Sequence, residues 1–537
     1  MEQTAFNELI HVLKNTPSHL GAEIVQEYRK TERRKTDIRM YAGAKQSRLT
    51  SGWGQLVTSA DSELSTSLRI LRARSRQLIR DAPYAKRAKI IVVNNIIGSG
   101  IGMQAQVKRP YKDVLNQEIN DEIEGAWEEW MLKENCHTGG RLHFFDIERI
   151  AMGQIFETGE IFIRKHYRKF GDSSIPFALE VIEPERVVDE FQPGAFIENA
   201  TVRLGVESDE YRRPLAYWIK KLHPGEIRYV AGETDRLERI PADQIIHLMI
   251  IDRWPQTRGE PWLHAVLRKL NDIDGYTEAE IIAARAAASY MGIIKTPHDY
   301  GDKSIEGEGK REITLEPGII EHLQPGEDFD FVNPSRPNSQ VDPFIRLMLR
   351  ETAAGTGVSY ESLSRDYSQS NYSSSRLALL DDRDLWRVFQ LWFIRNFRHG
   401  IHREWLSQAI FSRAISKISA EEFALDTPKF AAVRFKPRGW TWIDPQKEID
   451  AYKEGIKSGL TTMTKVIAST GDGMDIEDML DERRHELDLA KEKNLIFDTD
   501  PESAEFKKQN QPKPVATDMV SKGKIVNYPA QHSRREN

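Results

Sequence analysis

Large apolar side chains recur at every fourth position around residue 400, and this spacing constrains the fold more than any other feature. They are Phe389, Phe393, Phe397, Ile401 and Trp405. Because an α-helix has about 3.6 residues per turn, side chains four apart form one stripe along one face. The pattern predicts a long helix from about residue 375 to residue 409. Its stripe should pack within the subunit or against a neighbour, and it has no features of a cofactor site.

A polar segment, SRDYSQSNYSSSR, residues 364–376, leads directly into this helix. It has no aliphatic side chain that could join a core, so the sequence predicts a flexible loop. Its neutral hydrogen-bonding groups could form transient hydrogen bonds with phosphates. They would not bind them with the high, salt-dependent affinity of a cationic groove. An ordinary mobile surface loop fits the composition equally well.

Other segments alternate between helical and strand-like patterns. Helices are predicted over 262–291, whose second half is rich in alanine, and from 342 to about 356; between them, 293–341 is rich in proline and glycine with short strand-like pieces. Strand-like runs broken by Gly, Pro and Asp occupy much of 140–250. Helical patterns return over 445–493. The fold class is therefore predicted to be α+β.

Charged residues concentrate in a few places. A basic stretch contains Arg69, Arg72, Arg74, Arg76, Arg80, Lys86, Arg87 and Lys89. Since the apolar residues Leu68, Leu71, Leu78 and Ile79 keep a helical spacing, the basic residues are expected on the opposite, solvated face. The acids and the histidine of the β-rich region (Glu157, Glu160, Glu180, Glu183 and His247) are expected to be surface carboxylates and a half-buried histidine.

The sequence gives little support to three functions: tight nucleic-acid binding, dinucleotide binding and a nucleotide-driven motor. Lysine and arginine total 76 against 82 aspartate and glutamate, a formal charge of -6, which argues against a tight nucleic-acid binder. Gly98, Gly100 and Gly102 follow an apolar run, but Met103 stands where a dinucleotide fingerprint needs its third glycine. There is no G-x-x-x-x-G-K-[ST] loop for a nucleotide-driven motor.

The single cysteine, Cys136, excludes an intrachain disulfide and fits a reducing compartment. A thiol with only His137 beside it is expected to be structural. No segment approaches the roughly 18 uninterrupted apolar residues of a membrane span, and the N-terminus lacks a secretion-signal pattern. We therefore expect no membrane insertion, no cofactor and no metal site.

Taken together, several segments resemble the lambda-type family of tailed-phage portal proteins. They are LRARSRQLIRDAPYAKRAKIIVVNNIIGSGI, GEIFIRKH, LEVIEPERV, IPADQIIHLMIIDRWPQTRGEPWL, GVSYESLSRDYSQSNYSSSRLALLDDRDLW and WTWIDPQKEIDAYKEGIKSGL. They occur in the family's order and span roughly residues 41–495. RWPQTRGEPWL and the GVSYESLSRDYSQSNYSSSR block are the most specific, since neither follows from generic amphipathic patterning.

The resemblance implies a portal fold around an axial channel. It divides the chain into an N-terminal helical arm (1–40), a mixed α/β wing (41–260), a stem helix (261–292), a small α/β clip (293–341), a second stem helix (342–363), a tunnel loop (364–376), a long wing helix with a return to the wing (377–444), an α-helical crown (445–495) and a disordered tail (496–537). The loop residues that would face DNA are Arg365, Tyr367, Ser368, Gln369, Ser370, Asn371, Tyr372, Ser373, Ser374, Ser375 and Arg376.

The same resemblance implies the partners. They are further copies of the chain in a ring, a dodecamer in the mature particle; double-stranded DNA in the channel; the terminase large subunit; head–tail connector proteins; and the major capsid or scaffold protein. The expected location is the portal vertex of the virion, and the host cytoplasm during assembly. No catalytic residue is implied.

Two other functions remain as alternatives. A nuclease would need two or three acids around a divalent ion, and Asp381, Asp382 and Asp384 are the nearest candidates, although on a predicted helix they suggest a solvated face. A head–tail adaptor is the other, but such proteins are usually much shorter.

Overall fold

The computed structural model describes residues 48, 54, 57–110, 114–189, 201–226, 236–289, 293–295, 328–330, 339–440, 445–470, 476–497 and 500. The chain divides into two units, Met1–Ser59 and Ala60–Asn537. All of the described helices and strands belong to the second unit. The predicted N-terminal arm, most of the clip segment and nearly all of the tail lie outside the described residues.

The regular elements run through the second unit in a mixed order. The helices are α1 (Ala60–Asp81), α2 (Pro83–Ile96), α3 (Gln117–Trp130), α4 (Lys133–Cys136), α5 (Phe144–Thr158), α6 (Leu267–Ser289), α7 (Val341–Thr356), α8 (Tyr360–Ser364), α9 (Tyr372–Phe393), α10 (His399–Phe411), α11 (Ala420–Leu425), α12 (Thr427–Phe430), α13 (Pro445–Lys457), α14 (Met463–Thr470) and α15 (Ile476–Glu492). The strands are β1 (Gly102–Ala105), β2 (Glu160–His166), β3 (Ala178–Ile182), β4 (Thr201–Arg203), β5 (Val206–Ser208), β6 (Pro214–Lys220), β7 (Leu237–Pro241), β8 (Ile245–Met249), β9 (Ile293–Lys295), β10 (Asp328–Asp330) and β11 (Val433–Lys436). This composition confirms the predicted α+β class.

Two antiparallel sheets hold the β-rich region together. One has the order β3-β2-β8 and the other the order β4-β5-β6-β7. On the central strand β2, Ile161 and Ile163 enter the main core, whereas Phe162 faces a second cluster with Val206, Tyr217 and other residues of the second sheet. Because β2 is buried on both faces here, its residues Ile161, Phe162 and Ile163 form a short continuous apolar run.

The predicted strands of this region are confirmed, but the helix α5 was not anticipated there. Its Phe144, Ile147, Ala151 and Ile155 keep a helical spacing and are buried. The dinucleotide interpretation is also excluded by the fold, because the apolar run before Gly98 is the helix α2, not a strand.

The aromatic stripe is confirmed as a packing surface within the subunit. The predicted helix is continuous through α9, a π-helical turn at Ile394–Arg398 and α10. Phe393, Phe397, Ile401 and Trp405 are fully buried. The Trp405 ring meets the Trp127 ring edge-on, with 4.8 Å between centroids. The helix begins at Tyr372, three residues earlier than predicted.

A buried ion pair joins this helix to α5 at the π-helical turn. Arg398 Nε lies 2.7 Å from Glu148 Oε1, and both side chains are fully buried. The Arg398 guanidinium also lies over the rings of Phe144 and Phe435, at 5.0 and 5.2 Å. The Nη atoms of Arg398 have no hydrogen-bond partner among the described residues. Cation–π interactions with these rings therefore stabilise the buried guanidinium.

The helices α6 and α7 pack as an antiparallel pair. Trp262 Nε1, just before α6, donates to Thr356 O at 3.0 Å, while farther along the rings of Tyr276 and Phe344 are in tilted contact, with centroids 4.8 Å apart. A Cβ at Gly355 would approach Val266 Cγ1 to 2.3 Å, so this close approach requires glycine. Beyond the pair, β9 and β10 form an antiparallel ladder.

Candidate functional site

The polar segment lies between the short helix α8 and the long helix α9. Residues 365–371 form the loop itself, whereas Tyr372, Ser373, Ser374, Ser375 and Arg376 belong to the first turns of α9. The predicted boundary at residue 376 is therefore wrong by five residues. The reason is a helix-capping arrangement that a composition-based interpretation does not detect.

That capping arrangement fixes the start of α9. Asn371 Oδ1 accepts a hydrogen bond from Ser374 N at 2.8 Å, and Ser374 Oγ accepts one from Asn371 N at 3.0 Å. This reciprocal pair satisfies two backbone donors at the helix terminus. Asn371 and Ser374 consequently define where the loop ends.

Asp366 organises the opposite side of the loop. Its carboxylate accepts hydrogen bonds from Ser368 N at 3.0 Å and from the Tyr360 hydroxyl at 2.9 Å, and Arg346 lies 3.5 Å away. The hydrogen bonds from Ser368 and Tyr360, with the nearby Arg346, lower the pKa of Asp366 to about 2. Arg365 ends α8 with a left-handed backbone, φ 58°. The described loop conformation is thus defined by local hydrogen bonds.

The loop presents polar groups next to cations that are already engaged. Tyr367 is 60% exposed, and Ser368 and Gln369 are exposed beside it. Arg350 donates to Gln369 Oε1 at 3.1 Å, and Arg376 lies 3.7 Å from Glu448. An anion at this surface would meet mainly hydroxyl and amide groups, with Arg350 and Arg365 as the nearby cations, which favours transient contact over tight binding.

The three acids proposed for a nuclease do not form a metal site. Asp382 is mostly buried and accepts hydrogen bonds from Ser359 N at 3.1 Å and Ser359 Oγ at 2.6 Å, so it fixes the start of α8. The expectation that all three acids lie on a solvated face was therefore wrong for Asp382. Nowhere in the described ranges do three His, Cys, Asp or Glu side chains come together so that they could hold a metal ion.

Cys136 is buried, as expected of a structural thiol. Its Sγ donates to Met131 O at 3.3 Å, and burial raises the pKa of the thiol to about 12. Helices long and apolar enough to cross a membrane are absent from the described parts of the chain.

A buried ionic cluster supports the segment that leads into α6. We define the Glu160 cluster as Arg72, Glu160, Asp189, His247 and Arg258. Glu160 Oε1 accepts from Arg258 Nε at 2.7 Å and also pairs with Arg72, while Oε2 lies 2.8 Å from His247 Nε2. Arg258 further donates to Asp189 Oδ1 at 2.8 Å. The side chains of Arg258 and Glu160 are fully buried.

Opposing effects determine the charge states in this cluster. Burial by itself raises the pKa of Glu160, but Arg258, Arg72 and the hydrogen bond from His247 outweigh it and hold the pKa well below its usual range. Burial lowers the pKa of His247, despite the adjacent carboxylate. Glu160 is therefore an anion shared by two buried guanidinium groups, and Asp189, which lies near both, supplies the second negative charge.

The Glu160 cluster joins three parts of the fold. Arg72 comes from α1 and Glu160 from β2, and Arg258 also donates to the carbonyls of Leu204 and Pro184 beside the second sheet. Gly259 N donates to Glu160 Oε2 at 2.8 Å. A Cβ at Gly259 would approach Gly159 O to 2.2 Å, so the two backbones can meet only at glycine.

The sequence interpretation of these charges was wrong. Arg72 and Arg76 were expected on a solvated face and Glu160 on the surface, yet Arg72 and Glu160 are buried and Arg76 pairs with Glu157 and Glu185. His247 was expected to be half buried, but its side chain is 8% exposed. One signal was available: Arg72 lies four residues after Leu68 and seven before Ile79, on the buried stripe of α1.

The Arg69, Arg74, Arg80 and Lys86 side chains are exposed, as the sequence predicted. Three of the four, Arg69, Arg74 and Lys86, make no ion pair within the described ranges, whereas Arg80 pairs with the exposed Asp81. The basic surface is therefore smaller than the eight residues of the stretch suggest.

Comparison with known proteins gives consistent similarities. A family model described as "Phage portal protein, lambda family" matches residues 46–390. The chain is 27% identical over 448 residues to a probable portal protein of Halomonas phage phiHAP-1, covering 81% of this chain and 84% of that protein. It is 23% identical over 458 residues to portal protein B of Escherichia phage lambda, covering 78% and 84%.

Among solved structures, similarity is found to a chain in the virion of a native gene transfer agent particle. The TM-score is 0.42 at 13% identity, covering 79% of this chain and 98% of that chain. A chain in the neck of the native particle, computed with C12 symmetry, gives a TM-score of 0.37 at 15% identity, covering 79% and 98%.

Proposed function

The chain belongs to the lambda family of phage portal proteins, and we propose that it is the ring-forming subunit of a DNA channel at the unique capsid vertex. In this proposal the ring admits DNA during packaging and releases it at ejection. The chain has no catalytic site of its own, and ATP hydrolysis belongs to a separate terminase. The subunit is a virion component that assembles in the host cytoplasm.

The described elements correspond to the parts of such a subunit. The two antiparallel sheets with α1 to α5 form the wing, and the α6–α7 pair forms the stem. The β9–β10 ladder begins and ends the clip, which binds terminase and later the head–tail connector proteins. The long helix α9–α10 is the wing helix, and α13 to α15 form the crown. The major capsid or scaffold protein is a further partner of the subunit in this proposal.

One observation supports the channel function best: the polar loop is mounted on rigid elements. Residues 365–371 connect α8 to α9, while α7 packs on α6 and the Glu160 cluster fixes the segment before α6. The loop carries exposed hydroxyl and amide groups, and its one cation, Arg365, is followed directly by the acid Asp366. Such a surface can contact passing phosphates repeatedly without retaining them.

Replacing Tyr367 and Gln369 with glycine is expected to leave ring assembly intact and to reduce the yield of DNA-filled particles to a small fraction of the wild type. Both side chains are exposed, Tyr367 at 60%, and neither belongs to the hydrophobic core. The measurement compares DNA per particle with ring formation by negative-stain microscopy.

The matched control is Tyr211→Gly. Tyr211 is also exposed, at 72%, on the turn between β5 and β6. The control variant should package DNA normally. Normal packaging by the loop variant as well would remove the DNA-facing role from this loop, while a loss of rings would give the loop a structural role instead.

A further inference from the structure

The outer face of α9 carries apolar side chains that the subunit itself does not cover. Leu377 is 70% exposed, Val388 62% and Leu391 65%. Positions 377, 380, 384, 388 and 391 fall on one side of a helix, and they lie opposite the buried stripe that contains Trp386 and Phe393. Exposed apolar side chains aligned on one helix face indicate an interaction surface.

Carboxylates surround this apolar face. Asp381 and Asp384 of α9 and Glu361 of α8 line an open cavity of about 710 Å³, together with Leu385 and Val388. Asp381 makes no ion pair in the described part of the chain, and Asp384 pairs only with Arg387 on its own helix. Because Arg387 offsets the charge of Asp384, the net negative charge of the surface comes from Asp381 and Glu361, and a partner for it should be apolar and basic.

The chain itself carries a surface of that kind on α1 and α2. Arg69, Arg74 and Lys86 are exposed and make no ion pair among the described residues. Ile70, 51% exposed, and Ile90, 40% exposed, lie beside them. The inward-facing arginines of α1 are neutralised by carboxylates, so the positive charge that remains on α1 points outward.

A closed ring of identical subunits requires two different surfaces on each copy, because each interface joins unlike patches. We infer that the acidic face of α9 docks against the basic face of α1 and α2 on the neighbouring copy. This inference rests on the ring-forming function proposed above and specifies which surfaces meet. Double-stranded DNA is the competing occupant of the basic face, but the exposed isoleucines favour a protein partner.

Cysteine cross-linking tests this contact without disturbing the fold. The native Cys136 is fully buried, and its raised pKa keeps the thiol unreactive. We expect the double variant Arg74→Cys, Asp384→Cys, treated with a short bifunctional maleimide, to give a ladder of covalent oligomers that ends in the closed ring. A mixture of the two single variants should give dimers only, since each copy then has one reactive end.

The alternative outcomes are distinct. If rings form but the double variant stays monomeric on denaturing gels, the proposed contact is wrong and the ring-forming function stands. If duplex DNA protects the introduced thiol of the single variant Arg74→Cys from labelling in rings that were not cross-linked, the basic face belongs to DNA. If the unsubstituted chain forms no ring even with its own capsid and scaffold proteins present, the proposed function fails together with this inference.

Charge reversal gives a second readout. Arg74→Glu should lower the ring fraction at low salt, and Asp384→Lys in the same chain should restore it. If the double variant forms rings again, the two positions lie opposite each other in the interface. Two changes that only destabilised the subunit would have additive effects, and the double variant would then assemble less than either single variant. A double variant that assembles worse than both single variants would overturn the contact.

Discussion

A chain with aspartate in place of Phe393 is expected to yield no soluble folded protein. Phe393 is fully buried on the stripe of the long helix, with its ring 5.1 Å from that of Phe397. Removal of a buried phenylalanine side chain costs about 3–5 kcal/mol, and the buried carboxylate adds several more. This sum is comparable to the whole free energy of unfolding of a typical domain, about 5–15 kcal/mol.

Soluble yield and the circular dichroism melting curve measure this effect. The matched control is Arg395→Asp, which introduces the same side chain at an exposed position two residues later. The control should fold and melt close to the wild type. Folded protein from the Phe393 variant would mean that the stripe is not the core of the subunit.

Replacing Glu160 with alanine is expected to lower the free energy of unfolding by about 3–5 kcal/mol, because it leaves two buried guanidinium groups without their shared anion. Arg72 and Arg258 both pair with Glu160, and their side chains are 2% and 0% exposed. Chemical denaturation of the wild type and the variant measures the difference. The control Glu238→Ala removes a partner of Arg164 that is 54% exposed, and it should cost less than about 1 kcal/mol.

The contribution of the Glu160 cluster has a defined dependence on pH. The pKa of Glu160 is lower in the folded state than in the unfolded state, so its stabilisation is present above about pH 4 and is lost as the pH falls further. The pKa of His247 is also lowered, by burial, so protonation of the unfolded state destabilises the fold below about pH 6.5. The difference between wild type and Glu160→Ala should therefore shrink in acid; a difference that grows there would contradict this assignment.

Apolar periodicity predicted the parts of the fold that depend on local spacing. The long helix, the α6 and α7 helices, the main strands of the β-rich region and the helices after residue 445 all follow from side chains that repeat with helical or strand period. The helix α5 was missed, although the helical spacing of Phe144, Ile147, Ala151 and Ile155 could have revealed it. The start of α9 was misplaced because a capping pair, Asn371 and Ser374, has the composition of a loop.

The charged interior could not be predicted in the same way. Arg72 and Glu160 are 88 positions apart and Glu160 and Arg258 are 98 apart, so their meeting depends on the tertiary fold that brings α1, β2 and the segment before α6 together. A charged residue on a predicted helix is usually solvated, and only its place on the apolar stripe indicates otherwise. The loop residues were predicted from their composition and the family resemblance, and their contact with DNA stays a prediction.

The central claim is that this chain closes into a ring with an axial channel. Native mass spectrometry of the purified full-length protein, with negative-stain images of the same sample, tests it most directly. We predict a closed species of about twelve copies with a central hole, since identical subunits with two unlike surfaces close into rings. A chain that remains a monomer or dimer at high concentration, also when its own capsid and scaffold proteins are present, would contradict the account.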